Sequence, residues 1–317
     1  MLKTLKLVRG AVADKDLVPV LTHFHIYNGR IQGGNGRVVL DTPCDALTGM
    51  CLTVPADRFL KAVDGCQGEP ELTVTDAGAL MVKRGSFKVR LPLAKQEDFP
   101  LQSHVTPELT PVPGLLGTLR RLRPFIGEDA SRPWLCTVKV ENGYAYATNN
   151  PVFIRIPCEL PDMVIPVFAV DELLRIGIGP LGVYVAETSM TFDFPAGLWL
   201  QCQQVEGEWP DVARFFEEEP ELQPVPAGLL EAVRRVKPFC PDAKFPEIRL
   251  GPEGVSTADG DMSAAVEGVN LPESRWRAEN LELLLSEATA VDWGAWPNPC
   301  RWEGQSGAQG VAVGLRG

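Results

Sequence analysis

Leu115–Phe125 reads LLGTLRRLRPF, and 114 residues further on Leu229–Phe239 reads LLEAVRRVKPF. Counting back 114 residues from Leu115 reaches Met1, where Met1–Gly10 reads MLKTLKLVRG, a weaker copy of the same pattern. A chain that repeats itself at one long period is assembled from copies of a single unit, so this stretch divides the 317 residues into three. Wound at 3.6 residues per turn, Leu115, Leu116, Leu119 and Leu122 fall in one sector, and Arg120 and Arg121 project from the other side. Leu229, Leu230, Val233 and Val236 stand against Arg234 and Arg235 in the same way, as do Leu5 and Val8 against Lys6 and Arg9. Each unit therefore opens with a short helix that buries one face and carries two or three cations on or near the other. In a single helix, such cations are simply a solvated face near the end that the helix dipole favours. Three basic helices in register within an acidic protein imply a shared role.

The repeat continues downstream. Residues 18–40, VPVLTHFHIYNGRIQGGNGRVVL, match residues 132–154, RPWLCTVKVENGYAYATNNPVFI, again at 114 residues. Both centre on Asn-Gly, at Asn28-Gly29 and Asn142-Gly143. Alternating apolar residues around Asn-Gly predict a hairpin closed by a type I′ turn, which needs φ > 0 twice. The third copy, KFPEIRLGPEGVSTAD (244–259), has a shorter turn. A second helix is expected at VPADRFLKAV (54–63), FAVDELLRIG (168–177) and WRAENLELLL (276–285), with Asp57 or Asn280 suited to a helix start. Further strands follow at ELTV (71–74) and ALMVKRGSFKVRL (79–91), then at GVYVAE (182–187) and MTFDFPAGLWLQCQQV (190–205). The order helix, strands, helix, strands predicts an α+β protein of three modules, 1–104, 105–218 and 219–317. The linkers are rich in proline and acid, and Glu217-Glu218-Glu219 reads as a solvated run.

The formal net charge is −11 with 45% hydrophobic residues, an ordinary globular make-up. No run of about 18 apolar residues and no charged-then-apolar leader is present, so neither a membrane span nor secretion is expected. The eight cysteines form no C-x-x-C pair and read as buried thiols of a reducing, cytoplasmic compartment. No P-loop, nucleophile elbow or Cys/His signature occurs, and Gly33-Gly34-Asn35-Gly36 reads as a tight turn. His23 and His25 share a strand face but lack a third ligand at recognisable spacing. The expectation is a protein without catalysis, cofactor or metal. An acidic chain repels nucleic acid unless its positive charge is gathered in one place.

Pro19-Val20-Leu21, FKVRLPLAKQEDFP (87–100), VEGEWPDV (205–212) and KFPEIRL (244–250) form an ordered set that resembles the bacterial β sliding clamp, the DNA polymerase III β subunit family. The match runs along nearly the whole chain, whose length below that of typical clamps suggests a divergent, phage- or plasmid-borne member. The resemblance implies three clamp domains, each with two helices packed on antiparallel sheet, and two chains joined head to tail in a ring around duplex DNA. A sliding sleeve needs phosphate contacts and no base readout. Lys6, Arg9, Arg120, Arg121, Arg123, Arg234, Arg235 and Lys237 are thus the DNA-facing candidates, with Arg58, Lys61, Arg175, Arg275 and Arg277 as weaker ones. The expected partners are double-stranded DNA without sequence preference, a second copy of the chain, and a replicative polymerase and clamp loader that dock a short peptide. Carried over by position, the resemblance puts the peptide cleft at Leu135, Thr148, Pro166, Val170, Val311 and Val313. Here the usual T-D-G-H-R-L reads Thr148-Asn149-Asn150-Pro151-Val152-Phe153, and the tail ends Val313-Gly314-Leu315-Arg316-Gly317. It also implies a ring interface in which Phe87 and Val89 meet Phe239 and Cys240, since closing a ring removes free strand edges. The alternative is a structural or adhesive β-repeat protein, such as a virion component, with no DNA role.

Overall fold

The computed structural model describes residues 1–104, 108–205, 207–217 and 219–316. Glu206 of the VEGEWPDV stretch, Glu218 of the acidic run and Gly317 of the tail lie outside the described residues.

Six α-helices occur among the described residues: α1 (Leu2–Arg9), α2 (Ala56–Gly65), α3 (Leu115–Leu122), α4 (Val167–Ile176), α5 (Leu229–Val236) and α6 (Ala278–Glu287). The helical periodicity of the repeat is what is buried: Leu5 and Val8 on α1, Leu115, Leu119 and Leu122 on α3, Leu229, Val233 and Val236 on α5. Proline, which lacks an N–H donor, ends the α-helical ladder of α3 and of α5. Each then tightens into a 3₁₀ turn, Arg123–Phe125 and Lys237–Phe239. Neither Asp57 nor Asn280 caps a helix, because α2 starts behind Pro55 and α6 behind Arg277 without a side-chain cap. Asp57 lies inside the first turn and turns to Arg9, while Asn280 accepts a hydrogen bond from Asn149 Nδ2 at 3.2 Å. The two Asn-Gly hairpins form with two-residue loops between Tyr27 and Arg30 and between Glu141 and Tyr144. Their φ values, 46° and 71° at Asn28-Gly29 and 52° and 79° at Asn142-Gly143, are those a type I′ turn demands.

The chain divides into two compact units, Met1–Leu116 with Phe168–Gln204, and Gly117–Val167 with Val205–Gly317. In the first, a seven-stranded sheet runs in the order Gly182–Val185, Ser189–Asp193, Trp199–Gln203, Val38–Pro43, Arg30–Gly34, His23–Tyr27, Leu52–Pro55. A separate three-stranded sheet holds Glu71–Val74, Ala79–Arg84 and Phe87–Pro92. In the second unit an eight-stranded sheet runs Met163–Pro166, Thr137–Glu141, Tyr144–Thr148, Val152–Pro157, Gln309–Ala312, Cys300–Gly304, Ala288–Val291, Gln223–Pro224. A four-stranded sheet there is built from Ser263–Ala265, Gly254–Thr257, Glu247–Gly251 and Ser274–Arg277. Each long sheet joins strands of neighbouring repeats: Leu200 pairs with Leu40 in one, Phe153 with Val311 in the other. The middle repeat therefore contributes to both units.

Phe24, Phe59, Phe192 and Trp199 are wholly buried in the first unit, and Phe125, Trp276, Trp293 and Trp302 in the second. Burying such rings removes about 150–250 Å² each from water and dominates the energetics of a core. No described helix is long and apolar enough to cross a membrane. The cysteines are free thiols, and burial pushes those of Cys202 and Cys300 up to about 12.

Candidate nucleic-acid interface and peptide-docking face

The repeat frame sorts the cations by what they touch. Lys6, Arg120 and Arg234 hold one repeat position, each 114 residues from the next. Arg120 and Arg234 are exposed and have no ion-pair partner among the described residues. Lys6 is exposed too and reaches Asp64 of α2 across 3.4 Å, a contact of little energetic weight in water.

Three residues further along stand Arg9, Arg123 and Lys237, and they behave differently. The Arg9 side chain is only 18% exposed and donates to Asp57 of α2 and to Asp14, both at 2.5 Å, and to the Val12 carbonyl at 2.9 Å. The hydrogen bond from Arg9 holds Asp57 below the usual carboxylate range, and Asp57 in turn raises the guanidinium. Lys237 repeats the arrangement 228 residues later, with Nζ 3.2 Å from Glu282 and 3.4 Å from Glu279 of α6. Burial pulls the Lys237 ammonium down, but Glu282 and Glu279 outweigh it and the net shift is upward. Arg9 and Lys237 are thus struts tying the opening helix of a repeat to its second helix, with their charge neutralised on the spot. Arg123 is half-buried and engaged as well. The sequence did carry a signal for this: Asp57, Asp171 and Glu279 place a carboxylate early in every second helix.

The remaining candidates divide the same way. Arg121 is held by Glu287 at 2.7 Å and by the Gln305 carbonyl at 3.1 Å, whereas its repeat counterpart Arg235 is exposed, with no ion-pair partner among the described residues. Arg58 and Lys61 are exposed on α2. Arg175 is bound to Glu172 and to the Leu7 carbonyl, and Arg275 makes two bonds to Glu247, at 2.7 and 3.0 Å. The Arg277 guanidinium lies 4.5 Å over the Phe245 ring. A phosphate can approach an exposed cation directly, but at a strut it must first displace a carboxylate. Lys6, Arg58, Lys61, Arg120, Arg234 and Arg235 are the cations so presented.

The proposed cleft residues lie in different settings. Leu135 and Pro166 are buried, and Val170 is buried on α4, in the other unit. Thr148 is buried with its hydroxyl donating to the Val152 carbonyl at 2.9 Å and accepting from Asn150 N–H at 3.0 Å, which closes the turn before Phe153. Strand register puts Thr148, Phe153, Val311 and Arg301 in one row, and Tyr146, Arg155, Gln309 and Glu303 in the next. Cross-strand neighbours share a face, and this face is aromatic. Val311 packs with Tyr146 and Phe153, and Tyr144, Trp209, Val212, Phe215 and Phe216 close over it half-buried. Val313 is 37% exposed, its N–H bound to the Pro151 carbonyl at 2.8 Å.

The covering segment Trp209–Phe216 is anchored at both ends. Trp209 donates its indole N–H to Thr137 Oγ1 at 3.0 Å and meets Trp134 edge-on at 5.5 Å. The Phe216 ring lies 3.5 Å from the Arg155 guanidinium, 5.0 Å from that of Arg301 and 6.0 Å from Phe153. Arg155 also donates twice to Gln309 Oε1, at 3.0 and 2.5 Å, and burial lowers its pKa, with Arg301 adding to the effect. Sequence reasoning missed Tyr146, Phe153, Arg155 and Phe216. The alternation Tyr144, Tyr146 was visible, but nothing local told which distant segment would land on it.

At the expected ring interface, Phe87 is 38% exposed on the outer strand of the three-stranded sheet, with Val89 half-buried beside it. Phe239 is 62% exposed. Cys240, expected beside it, is buried instead, its thiol directed at the Glu247 carbonyl at 3.3 Å, and Phe245 is the other exposed aromatic ring in that stretch. The histidines serve the fold. His23 Nδ1 lies 3.0 Å from the Pro19 carbonyl, His25 Nδ1 2.8 Å from Thr53 Oγ1, and His104 Nε2 2.7 Å from Asp193. Among the described residues no group of three or more His, Cys, Asp or Glu is placed to hold a metal ion.

No family model matches the sequence, and no curated protein does. The fold, by contrast, has many matches among solved structures. The beta subunit from DNA polymerase of Streptococcus pyogenes aligns over 100% of this chain and 97% of its own, with a TM-score of 0.83 and 14% identity. The DNA polymerase sliding clamp of Bacillus subtilis aligns over the same shares, 100% and 97%, at TM-score 0.80 and 14% identity. The beta sliding clamp of C. crescentus does so over 100% and 97%, at TM-score 0.81 and 18% identity. Along its whole length, therefore, this chain has the fold of the bacterial DNA polymerase sliding clamps.

Proposed function

We propose that the chain is a DNA sliding clamp, a non-enzymatic processivity factor of the cytoplasm that encircles duplex DNA and tethers replication proteins to it. The observation that carries this reading is the split within the repeat: one cation position, Lys6, Arg120 and Arg234, stays exposed in every copy, while three residues on Arg9 and Lys237 are spent on carboxylates of the second helix. Nothing in the interior of the fold requires Arg120, Arg234 or Arg235 to be basic. A duplex phosphate backbone does, and it attracts them without regard to sequence. Three modules, 1–104, 105–218 and 219–317, present Lys6, Arg58, Arg120, Arg234 and Arg235 to the DNA. Two chains close head to tail, the strand of Phe87 and Val89 in one copy meeting the surface around Phe239 and Phe245 in the other, so that exposed rings are covered at both joints. Polymerase and loader peptides dock on the aromatic face of Phe153 and Val311.

Light scattering tests the ring state: about twice the 34.6 kDa chain mass is expected, and a monomer at micromolar concentration contradicts it. Duplex binding should be weak and fall steeply with salt. A structural or adhesive β-repeat protein would show no duplex binding that depends on these arginines, and the shared clamp fold favours the first reading.

A further inference from the structure

Each of the first two repeats lays the stretch that follows its last strand across one face of its own sheet and anchors it there with an aromatic ring. In the first, Phe99 stacks on His25 at 4.9 Å, the Gln102 N–H donates to Gln32 Oε1 at 2.8 Å, and Gln32 Nε2 donates back to the Gln102 carbonyl at 2.9 Å. In the second, Trp209 is held by Thr137 and Trp134, and Phe216 lies over Arg155. Both straps lead with a carboxylate, an aromatic ring and a proline: Asp98-Phe99-Pro100 and Glu208-Trp209-Pro210. The rows beneath them are equivalent, His25, Gln32 and Asp41 in one and, 114 residues on, Lys139, Tyr146 and Arg155 in the other.

The third repeat holds the same row as Arg249, Ser256 and Ser263, and among the described residues no strap crosses it. Gly314 and Leu315 only skirt it: the Leu315 N–H donates to the Arg275 carbonyl at 2.7 Å, and the Leu315 carbonyl accepts from Trp296 Nε1 at 3.2 Å. Where the other repeats carry Gln32 and Asp41 or Tyr146 and Arg155, two serines stand, and Gly251, Gly254 and Ala265 form the neighbouring row. The result is a groove of about 720 Å³ bounded by Arg249, Arg275, Glu273 and Trp296. We propose that this groove is a docking site for an extended segment of a partner protein that supplies the strap: a carboxylate, an aromatic ring and a proline in succession. The side chains suit that occupant. Arg275 is already spent on Glu247, but Arg249 is exposed and has no ion-pair partner among the described residues. A guanidinium attracts a ring face through the ring quadrupole and a carboxylate through its charge. Glu253 and Glu273 also line the groove and repel carboxylates elsewhere in it, so the acidic group of the segment belongs at Arg249. Trp296 is half-buried with its indole N–H used, which leaves its ring to meet the incoming one as Trp134 meets Trp209. Serines at the floor leave room for the ring, and proline holds the segment extended before it binds. The site lies on the four-stranded sheet, apart from the face of Phe153 and Val311 on the eight-stranded one, and it does not depend on the DNA-facing cations.

The test uses the full chain and the strap of the first repeat as a free labelled peptide, KQEDFPLQS (95–103), read by fluorescence anisotropy. Saturable binding with a Kd below about 1 mM is expected, the range of a short peptide that buries one ring. Arg249→Glu should weaken it about tenfold, and so should Phe99→Ala made in the peptide alone. Ser256→Trp fills the floor and should abolish binding. Should that variant fail to fold, Ser263→Trp, exposed on the same row, must abolish it instead. In nitrogen-edited NMR spectra of the wild type, the peptide should shift the indole resonance of Trp296, assigned through Trp296→Phe. The absence of saturable binding overturns the proposal. So does binding indifferent to Arg249→Glu, which would put the peptide in the place of the chain's own strap, and so does a bound peptide that leaves Trp296 unmoved.

Discussion

Replacing Arg120 and Arg234 together by glutamine separates phosphate contact from structure. Both side chains are exposed and without an ion-pair partner among the described residues, so the fold should lose no more than about 0.5 kcal/mol. The DNA term is larger. Each phosphate neutralised contributes about 0.9 to the slope of log K against log salt. Two cations per chain in a ring of two chains amount to four, so the slope should fall by up to about 3.6. Arg9→Gln is the matched control. It removes one charge from the same face but strands Asp57 and Asp14, each 2.5 Å from the guanidinium. Both carboxylates are largely exposed, which discounts the strut to about 1 kcal/mol of stability. The assays are duplex anisotropy across a salt series and urea unfolding. The double variant should lose slope and keep its urea midpoint, and Arg9→Gln should do the reverse. Equal slopes for the wild type and the double variant, or a slope loss as large in Arg9→Gln, would refute the sorting of cations by repeat position.

Glu247 is held below its ordinary value of 4.5 chiefly by the hydrogen bond from Arg275, so the native state binds its proton less readily than the unfolded chain does. That stability is complete above about pH 4.5 and is lost as pH falls through the depressed value. Urea unfolding at several pH values should therefore show Glu247→Gln flattening the acid limb and leaving its slope near pH 7 unchanged. Gly310 has no room for a side chain: a Cβ there would meet the Phe153 carbonyl oxygen at 2.1 Å and Trp302 Cε2 at 2.3 Å. Gly310→Ala should cost about 2–3 kcal/mol in a urea melt. Exposed Cys51 should be modified readily by a thiol reagent under native conditions, while Cys202 and Cys300, pushed up to about 12 by burial, should react only on unfolding.

What the sequence made legible was local. Leu115, Leu119 and Leu122 spell a buried helix face within three turns, and Asn28-Gly29 requires its turn without help from elsewhere in the chain. The joining of repeats into long sheets was not legible. Leu200 against Leu40 and Phe153 against Val311 are pairings between strands that resemble any other apolar strand. The division of the cations into exposed and paired ones was half legible for the same reason. Periodicity puts Lys6 and Arg9 on the outer side of one helix, but only the neighbouring helix, with Asp57 in its first turn, decides that Arg9 is spent. In the peptide region the resemblance named Thr148 and Val311, which strand register brings into one row with Phe153. The side chains of Trp209, Val212, Phe215 and Phe216 that pack over them come from a distant segment, whose landing place no local pattern encodes.

The central claim is that the exposed cations face a hole through which DNA passes, and topology tests it most directly. The protein is assembled on a nicked circular duplex and washed at a salt concentration that abolishes its binding to a linear fragment. The circle is then cut once with a restriction enzyme. The account predicts protein that survives the wash on the circle and leaves as soon as the circle is opened. Protein that stays on the cut DNA, or that the wash strips equally from circle and line, would contradict it.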